Sequence, residues 1–551
     1  MSASAKKKLR KEQTAAQLTE KQLNQQKEAK RLKITTTIFV VAIAMVLVAS
    51  LAIAGVNVYK GSGLVEKNTV ALTIDDHKIN AVEMSYYYND MITTTYNTWQ
   101  SSYGDSLSLY MSWMGLDLSV PLSQQQFDEE TTWADYFIKS AAEKAKSDYL
   151  LCKQAKAEGF TMPEEDRAYL DSSIEQFDMV ATLYGYSDVD SYLHSVYGPG
   201  ASEDTYYAYS ENAALAQAYY NAYKENMVID DAAIRAYEAD KFDEFSSFSY
   251  ATFHFNYSDY LTGGTTNEDG TVTYTDAEKE AARVAMKADA EALAPCATVE
   301  ELNAAVAALP AYADSNPTAT IFENSLYNTT SSAARQWLTD ASRANGDFTV
   351  VSTTSSITND ANELVDVVND YYAVIYLGRN DNNMPLANIR HILVKFEGGS
   401  TDESGNTVYS DAEKAAALTE AQAILDEFLA GEATNDSFAA LASEKTDDTA
   451  SAATGGLYED ITPEQGIYVE PFTNWAVDSQ RKAGDTGIIE TTYGYHVMYY
   501  VGDDDMTYRD YMITNQIRDE NLNNWYNGII ESAAAEVKDT SRLNKDRIIS
   551  G

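Results

Sequence analysis

The chain has 551 residues, 45% of them apolar, which is length for three or four domains at about 150 residues each. Its 84 acidic against 40 basic side chains give a net charge of −44, which argues against nucleic acid and anionic lipid headgroups as ligands of the acidic part. Two cysteines, Cys152 and Cys296, exclude a disulfide framework, although one bridge between them stays open.

Residues 1–33 form a basic tail with ten Lys or Arg against Glu12, Glu20 and Glu28, a surplus of +7. Residues 34–56, ITTTIFVVAIAMVLVASLAIAGV, then carry no charge over 23 residues. At about 1.5 Å per residue this run spans the roughly 30 Å hydrocarbon layer as a helix. The positive-inside rule keeps the tail cytoplasmic and places the remainder, at −51, outside. A cleavable signal peptide ending near Ala52-Ile53-Ala54 is the competing reading. The long apolar run and long basic tail favour an anchor that stays.

From Val70 a strand and turn lead into an aromatic-rich helix, and helical patterns dominate residues 64–245. The tyrosines of this region, Tyr86, Tyr87, Tyr88, Tyr206, Tyr207 and Tyr209, suit either amphipathic core packing or a peptide-binding surface. His77 and His194 have no partner at useful spacing and read as surface or turn residues. A repeat follows. Thr273 to Leu293, TYTDAEKEAARVAMKADAEAL, and Val408 to Phe428, VYSDAEKAAALTEAQAILDEF, each open on a capping box, Thr275 with Glu278 and Ser410 with Glu413. A histidine-bearing strand precedes each, ATFHFNY with His254 and NIRHILV with His391, and a closing strand follows, YAVIYLG and YHVMYYVG. The matched points lie 137, 135 and 123 residues apart, which sets Ala373 against His496 and Phe253 against Arg390. The acidic loop 265–276 lacks the alternating ligands of a calcium loop and reads as a solvated hairpin. The scattered histidines and two cysteines match no zinc spacing. Residues 504–551 return to helix, and Trp525, Tyr526, Ile529 and Ile530 need cover, so this helix is expected to pack on the N-terminal helical region.

Four motifs follow in order within residues 386–503: RHILV (Arg390 to Val394), FAALASEKTDDTASAATGGL (Phe438 to Leu457), EPFTNWA (Glu470 to Ala476) and TTYGYHVMYYV (Thr491 to Val501). On these motifs the segment resembles a parvulin-type peptidyl-prolyl isomerase domain. The wider arrangement is similar to exported foldases of the PrsA and SurA kind. The resemblance implies an α+β fold: transmembrane helix 34–56, a helical SurA-N-like chaperone region over 64–245, a degenerate parvulin-like copy over 246–382, an active copy over 386–503, and a C-terminal helical segment over 504–551. It implies His391 and His496 side by side at the floor of the site, with a hydroxyl such as Thr491 beside them. It puts Asp448 close to the twisting amide, Leu457 and Phe472 in the apolar slot for the proline ring, and Tyr468, among the substrate-binding residues, where the family often has a methionine. Asp447 is read as a turn residue. The first copy keeps His254 but lacks the rest of the set.

An X-Pro amide resists rotation by roughly 18–20 kcal/mol because the twisted form loses resonance. No bond is made or broken, so no cofactor and no metal is expected. The implied partners are unfolded or newly exported polypeptides with X-Pro bonds, with no nucleic acid and with the membrane engaged through one helix. The loop EGGSTDESGNTVYSD (Glu397 to Asp411) has no basic residue, which argues against phosphate-dependent selection. Two other classes stay open: a holdase chaperone using both copies only to bind peptide, and a surface binding protein.

Overall fold

A computed structural model describes residues 63–546 except 268–269, 314, 359–362, 403–404 and 465. The basic tail and the apolar run 34–56 lie outside the described residues. Among the described residues no helix is long and apolar enough to cross a membrane. The chain divides into two compact units, Met1–Val228 with Arg518–Gly551, and Ile229–Ile517.

The first unit is helical with one small sheet. After α1 (Leu64–Asn68), strands β1 (Val70–Ile74) and β2 (His77–Asn80) form a hairpin, and the antiparallel strand Ala535–Val537 pairs on the other edge of β1. Helix α2 (Ala81–Tyr103) starts where Asn80 accepts from Glu83 N. It is followed by α3 (Leu107–Trp113), α4 (Trp133–Ala157), α5 (Glu164–Leu183), α6 (Val189–Tyr197) and α7 (Glu203–Asn226). Core packing claims the tyrosine stripes. Tyr86, Tyr87 and Tyr88 are buried, and Tyr86 meets Tyr206 edge-on at 5.2 Å while Tyr87 meets Tyr209 at 4.7 Å. His77, expected to be without a partner, is stacked on Tyr149 at 4.0 Å. The C-terminal helix Tyr508–Ile530 contributes Trp525, stacked on Tyr223 at 3.9 Å, and Tyr526, hydrogen-bonded to Ser147. Cys152 and Cys296 are both buried free thiols.

The second unit holds the repeat. Helix α8 (Asp231–Lys241) leads into β3 (Ser247–Phe255), the hairpin β4 (Thr265–Thr266) and β5 (Val272–Thr273), α9 (Asp276–Ala292), α10 (Val299–Ala307), β6 (Thr320–Leu326), α11 (Arg335–Leu338), β7 (Phe348–Thr358) and β8 (Leu364–Asn380). The same sequence of elements recurs as β9 (Pro385–Lys395), β10 (Ser400–Thr401), β11 (Thr407–Val408), α12 (Asp411–Ala430), α13 (Asn435–Lys445), β12 (Leu457–Ile461), α14 (Glu470–Ala476), β13 (Thr486–Glu490) and β14 (Gly494–Thr507). The two four-stranded antiparallel sheets have the same order, β6-β3-β8-β7 and β12-β9-β14-β13. Both capping boxes form, Thr275 with Glu278 and Ser410 with Glu413. Each sheet buries one face under its long helix, with Phe253, Phe255 and Met286 in one core and Ile392, Val394 and Phe428 in the other.

Strand pairing corrects the alignment of the two copies. Asn324 N donates to Ser249 Oγ and Asp460 N donates to Asn388 Oδ1, both at 3.0 Å, and Asn324 and Asp460 both have positive φ. Gly346 N bonds Tyr376 O and Gly484 N bonds Tyr500 O, both at 2.8 Å. Counted from these landmarks, the counterpart of His391 is Thr252, not His254, and that of Arg390 is Ala251, not Phe253. The counterpart of His496 is Tyr372, not Ala373. The registers agree, since Thr252 pairs with Val374 as His391 pairs with Met498. The two histidines fell into line because the segment after the strand is four residues longer in the first copy, 14 from Ser249 to Gly263 against 10 from Asn388 to Gly398.

The middles of the copies also share a turn. Trp337, Asp340, Arg343, Gly346 and Asp347 recur as Trp475, Asp478, Arg481, Gly484 and Asp485. In each copy the arginine donates Nε to the tryptophan carbonyl at 3.2 Å and lies over the indole ring, at 4.7 Å in the first and 4.3 Å in the second. This Arg–Trp turn holds the short helix that, in the second copy, carries Phe472. Where the copies join, Arg509 is fully buried. It donates to Phe242 O, Asp381 O and Ser246 Oγ and lies 3.9 Å from the Phe242 ring centre.

Candidate active site

The candidate site is built on the face of the second sheet opposite its long helix. On β9 and β14, Met498 pairs with His391 and His496 with Leu393, so the two histidines are diagonal neighbours on one face. Both are buried, and their Nδ1 atoms lie 2.9 Å apart. The segment Thr446–Gly456 returns along β9: Asp447 N bonds Leu393 O, Leu393 N bonds Thr446 Oγ1, and His391 N bonds Gly456 O. Asp447 also accepts from Lys395 N, which makes it a structural residue. This return brings Asp448 Oδ2 to 2.9 Å from His391 Nε2.

Two further features hold the segment. Arg390, on the other face of β9, donates to Asn435 Oδ1, Thr454 O and Gly455 O. Gly456 has φ +71, and a Cβ there would stand 2.1 Å from His391 O, so only glycine permits the close pass. Beyond His496, Thr491 Oγ1 lies 2.9 Å from His496 Nε2 and also accepts from Tyr493 N.

With both rings in their neutral form, donor and acceptor accounting sets the tautomers. The Asp448 carboxylate only accepts, so His391 Nε2 carries the proton. His391 Nδ1 then accepts from His496 Nδ1–H, and His496 Nε2 accepts from the Thr491 hydroxyl. The four side chains form one directed line, Thr491 to His496 to His391 to Asp448. Burial, with His391 beside it, pushes the His496 imidazole down to about 3, which keeps it neutral near pH 7. Burial works to raise the Asp448 carboxyl, yet hydrogen bonds from His391 and Ser451 outweigh it and hold the group well below the usual carboxylate range.

The slot lies beside this line. Phe472, on α14, is buried and meets His391 at 5.3 Å and His496 at 5.6 Å edge-on. Tyr458 meets Phe472 at 5.7 Å and Tyr468 at 5.6 Å, and Tyr468 meets Phe472 at 5.5 Å. The structure therefore gathers His391, Asp448, His496, Thr491, Phe472 and Tyr468. Leu457 is a correction: it pairs with Arg390, and strand alternation puts it on the face away from His391. Its neighbour Tyr458, which pairs with Ile389, takes the place in the slot. Sequence reasoning missed Tyr458 and Ser451. The signal available for Tyr458 was the alternation itself, since one step along a strand changes the face.

Residues 391–502 match the rotamase family model described as a PPIC-type PPIase domain. Among solved structures, the chain is similar to the PPIase domain of TbPar42, at 26% identity over 21% of this chain and 98% of that one, with a TM-score of 0.16. It is similar to PrsA from Bacillus anthracis at 20% identity, over 28% of this chain and 59% of that one, with a TM-score of 0.17. For PrsA from Bacillus subtilis the values are 21%, 29% and 54%, with a TM-score of 0.17. The chain thus spans a little over half the length of those two PrsA structures. No curated protein sequence matches the chain.

Proposed function

Residues 391–502 are a parvulin-type peptidyl-prolyl cis-trans isomerase domain, and from that premise we propose that the whole chain is a membrane-anchored extracytoplasmic foldase acting on X-Pro bonds of newly exported polypeptides. The observation that carries the catalytic part is the buried line Asp448–His391–His496–Thr491 beside the Phe472, Tyr468 and Tyr458 rings. The rings take the proline and shed water from the amide. The fixed anion and the oriented imidazoles then act on the amide as its dipole changes during rotation, with no reorganisation required of them.

The placement outside the cytoplasm rests on the basic tail and the uncharged run 34–56. The first copy is a parvulin-like fold without the catalytic set, because Thr252, Tyr372 and Ala334 stand at the positions of His391, His496 and Phe472. It and the helical unit bind client chain. The decisive experiment is proline-limited refolding of a client with the full chain: acceleration over buffer is expected, and a rate equal to buffer sinks the foldase reading. Protection of the C-terminal part from external protease on intact cells would overturn the orientation.

The stripped first copy favours a second reading, in which client holding is independent of catalysis. Under that reading Asp448→Ala abolishes isomerisation and leaves suppression of client aggregation unchanged.

A further inference from the structure

Asp448 is held more elaborately than a partner for His391 requires. Its Oδ2 receives three donors: His391 Nε2 at 2.9 Å, Ser451 Oγ at 2.5 Å and the Tyr458 hydroxyl at 2.9 Å. Among the described residues, its Oδ1 receives Ala450 N alone, at 3.2 Å. Ser451 is buried and sits three residues along the same turn, so its hydroxyl is fixed by the backbone. Tyr458 comes from a different element, β12, and its ring is wedged edge-on against His391 at 5.1 Å as well as against Phe472 and Tyr468. The phenol therefore reaches the carboxylate from a rigid mount.

The consequence is directional. A carboxylate held through one oxygen cannot swing about its χ2 axis, so the other oxygen points one way. An anion that could turn would follow the amide dipole and stabilise planar and twisted amide alike, which leaves the barrier unchanged. A fixed anion favours only the arrangement it was built for. The first copy shows the contrast, since Phe322 occupies the position of Tyr458 and lies flat on Tyr250 at 4.8 Å, with no hydroxyl to offer.

We propose that Tyr458 is a positioning residue for the isomerisation: its hydroxyl, together with Ser451 Oγ, locks the Asp448 carboxylate through Oδ2 so that Oδ1 is the edge presented to the prolyl amide. This rests on the isomerase reading of the same site. It also gives Tyr458 two separable parts, a ring that lines the slot and a hydroxyl that acts through Asp448. Tyr458→Phe removes only the second.

The test uses the full chain labelled with 15N-histidine, in which five imidazoles report. Tyr458→Phe is expected to lower kcat on an X-Pro peptide roughly tenfold, the loss of one hydrogen bond to a charged group. KM should stay within about twofold of the parent, because the slot ring remains. The His391 Nε2–H resonance should move, because the acceptor it shares with Tyr458 has lost a donor. An unchanged kcat overturns the proposal. So does a reduced kcat with the His391 resonance unmoved, which would leave the hydroxyl a part of the slot wall only. Ser451→Ala, which removes another donor from the same oxygen, must shift the same resonance and lower kcat, and it carries the test if Tyr458→Phe does not fold. Absence of catalysis by the parent chain is a separate result that sinks the isomerase reading itself.

Discussion

The two copies in the second unit share a scaffold and differ in chemistry. Strand order, capping boxes, the Arg–Trp turn and the positive-φ residues Asn324 and Asp460 coincide. On the face that carries the site, the second copy has His391, His496, Phe472 and Tyr458 where the first has Thr252, Tyr372, Ala334 and Phe322. The fold tolerates either set, because that face is backed by the same sheet. Function is thus a choice of four side chains and one return loop, and comparing matched substitutions in the two copies separates scaffold from site.

The largest difference is expected at the anion. Asp448→Ala in the full chain should lower kcat/KM for an X-Pro peptide by about 10²- to 10³-fold, the range for removing one preorganised electrostatic group. Asp370→Ala in the first copy should leave the rate unchanged, although Asp370 also accepts from a histidine, His254. Equal losses in both variants, measured by proline-limited refolding, would break the division of labour.

The second difference is in pH dependence. His496 is held at about 3 by burial and by His391, against roughly 6.5 in an unfolded chain. Between these values the unfolded chain binds a proton that the folded one refuses, so stability is full above about 6.5 and falls as pH falls. The slope is at most about 1.4 kcal/mol per pH unit. Asp448, whose folded value is depressed, adds loss in the same direction only below about 3.9. Tyr372 stands in the first copy at the position of His496, and that position contributes no such slope. Hydrogen exchange of the β9 and β14 amides against those of β3 and β8 between pH 4 and 7 separates the two. His496→Gln should flatten the response of the second copy, and a slope that survives this change would remove His496 as its source.

Scaffold substitutions should behave alike. Arg343→Ala and Arg481→Ala each remove a cation over an indole and a bond to the tryptophan carbonyl. Each should cost its own copy about 1–2 kcal/mol in denaturant unfolding. Arg481→Ala alone should also raise KM, because its turn holds Phe472. A cost confined to one copy would show that the turns are alike in form only.

What the sequence made legible follows from local rules. The capping boxes and the hairpin over residues 265–276 depend on short-range spacing; Asp448, His391, His496 and Thr491 were named by the resemblance, and the structure brings those four side chains into one hydrogen-bonded line. Register between distant strands was not legible: with four extra residues after β3, His254 falls opposite His391 two residues out of step, one repeat of the pleat, which leaves the alternation pattern of that strand intact, while the closing strand slips by one residue. Leu457 and Tyr458 were exchanged for the related reason that a single step reverses the face. The Arg–Trp turn was in plain view at a spacing of 138 residues. It was passed over because its residues are turn formers with no periodicity.

The smallest effect is the sharpest test of the corrected register. His254 resembles a catalytic histidine in sequence, lying on the first strand of its copy. Its Nε2 bonds Asp370 Oδ1 at 2.8 Å and its ring stacks on Tyr372 at 4.6 Å. The His254 and Asp370 side chains are 41% and 26% exposed, so this is a surface pair screened by water. His254→Gln should change the stability of the first copy by less than about 0.5 kcal/mol and leave refolding catalysis as it was. Under the histidine-on-histidine alignment, His254 would be buried against the closing strand, and the same change would cost several times more. A large loss would therefore restore His254 as the counterpart of His391, whereas a negligible one leaves Thr252 in that place.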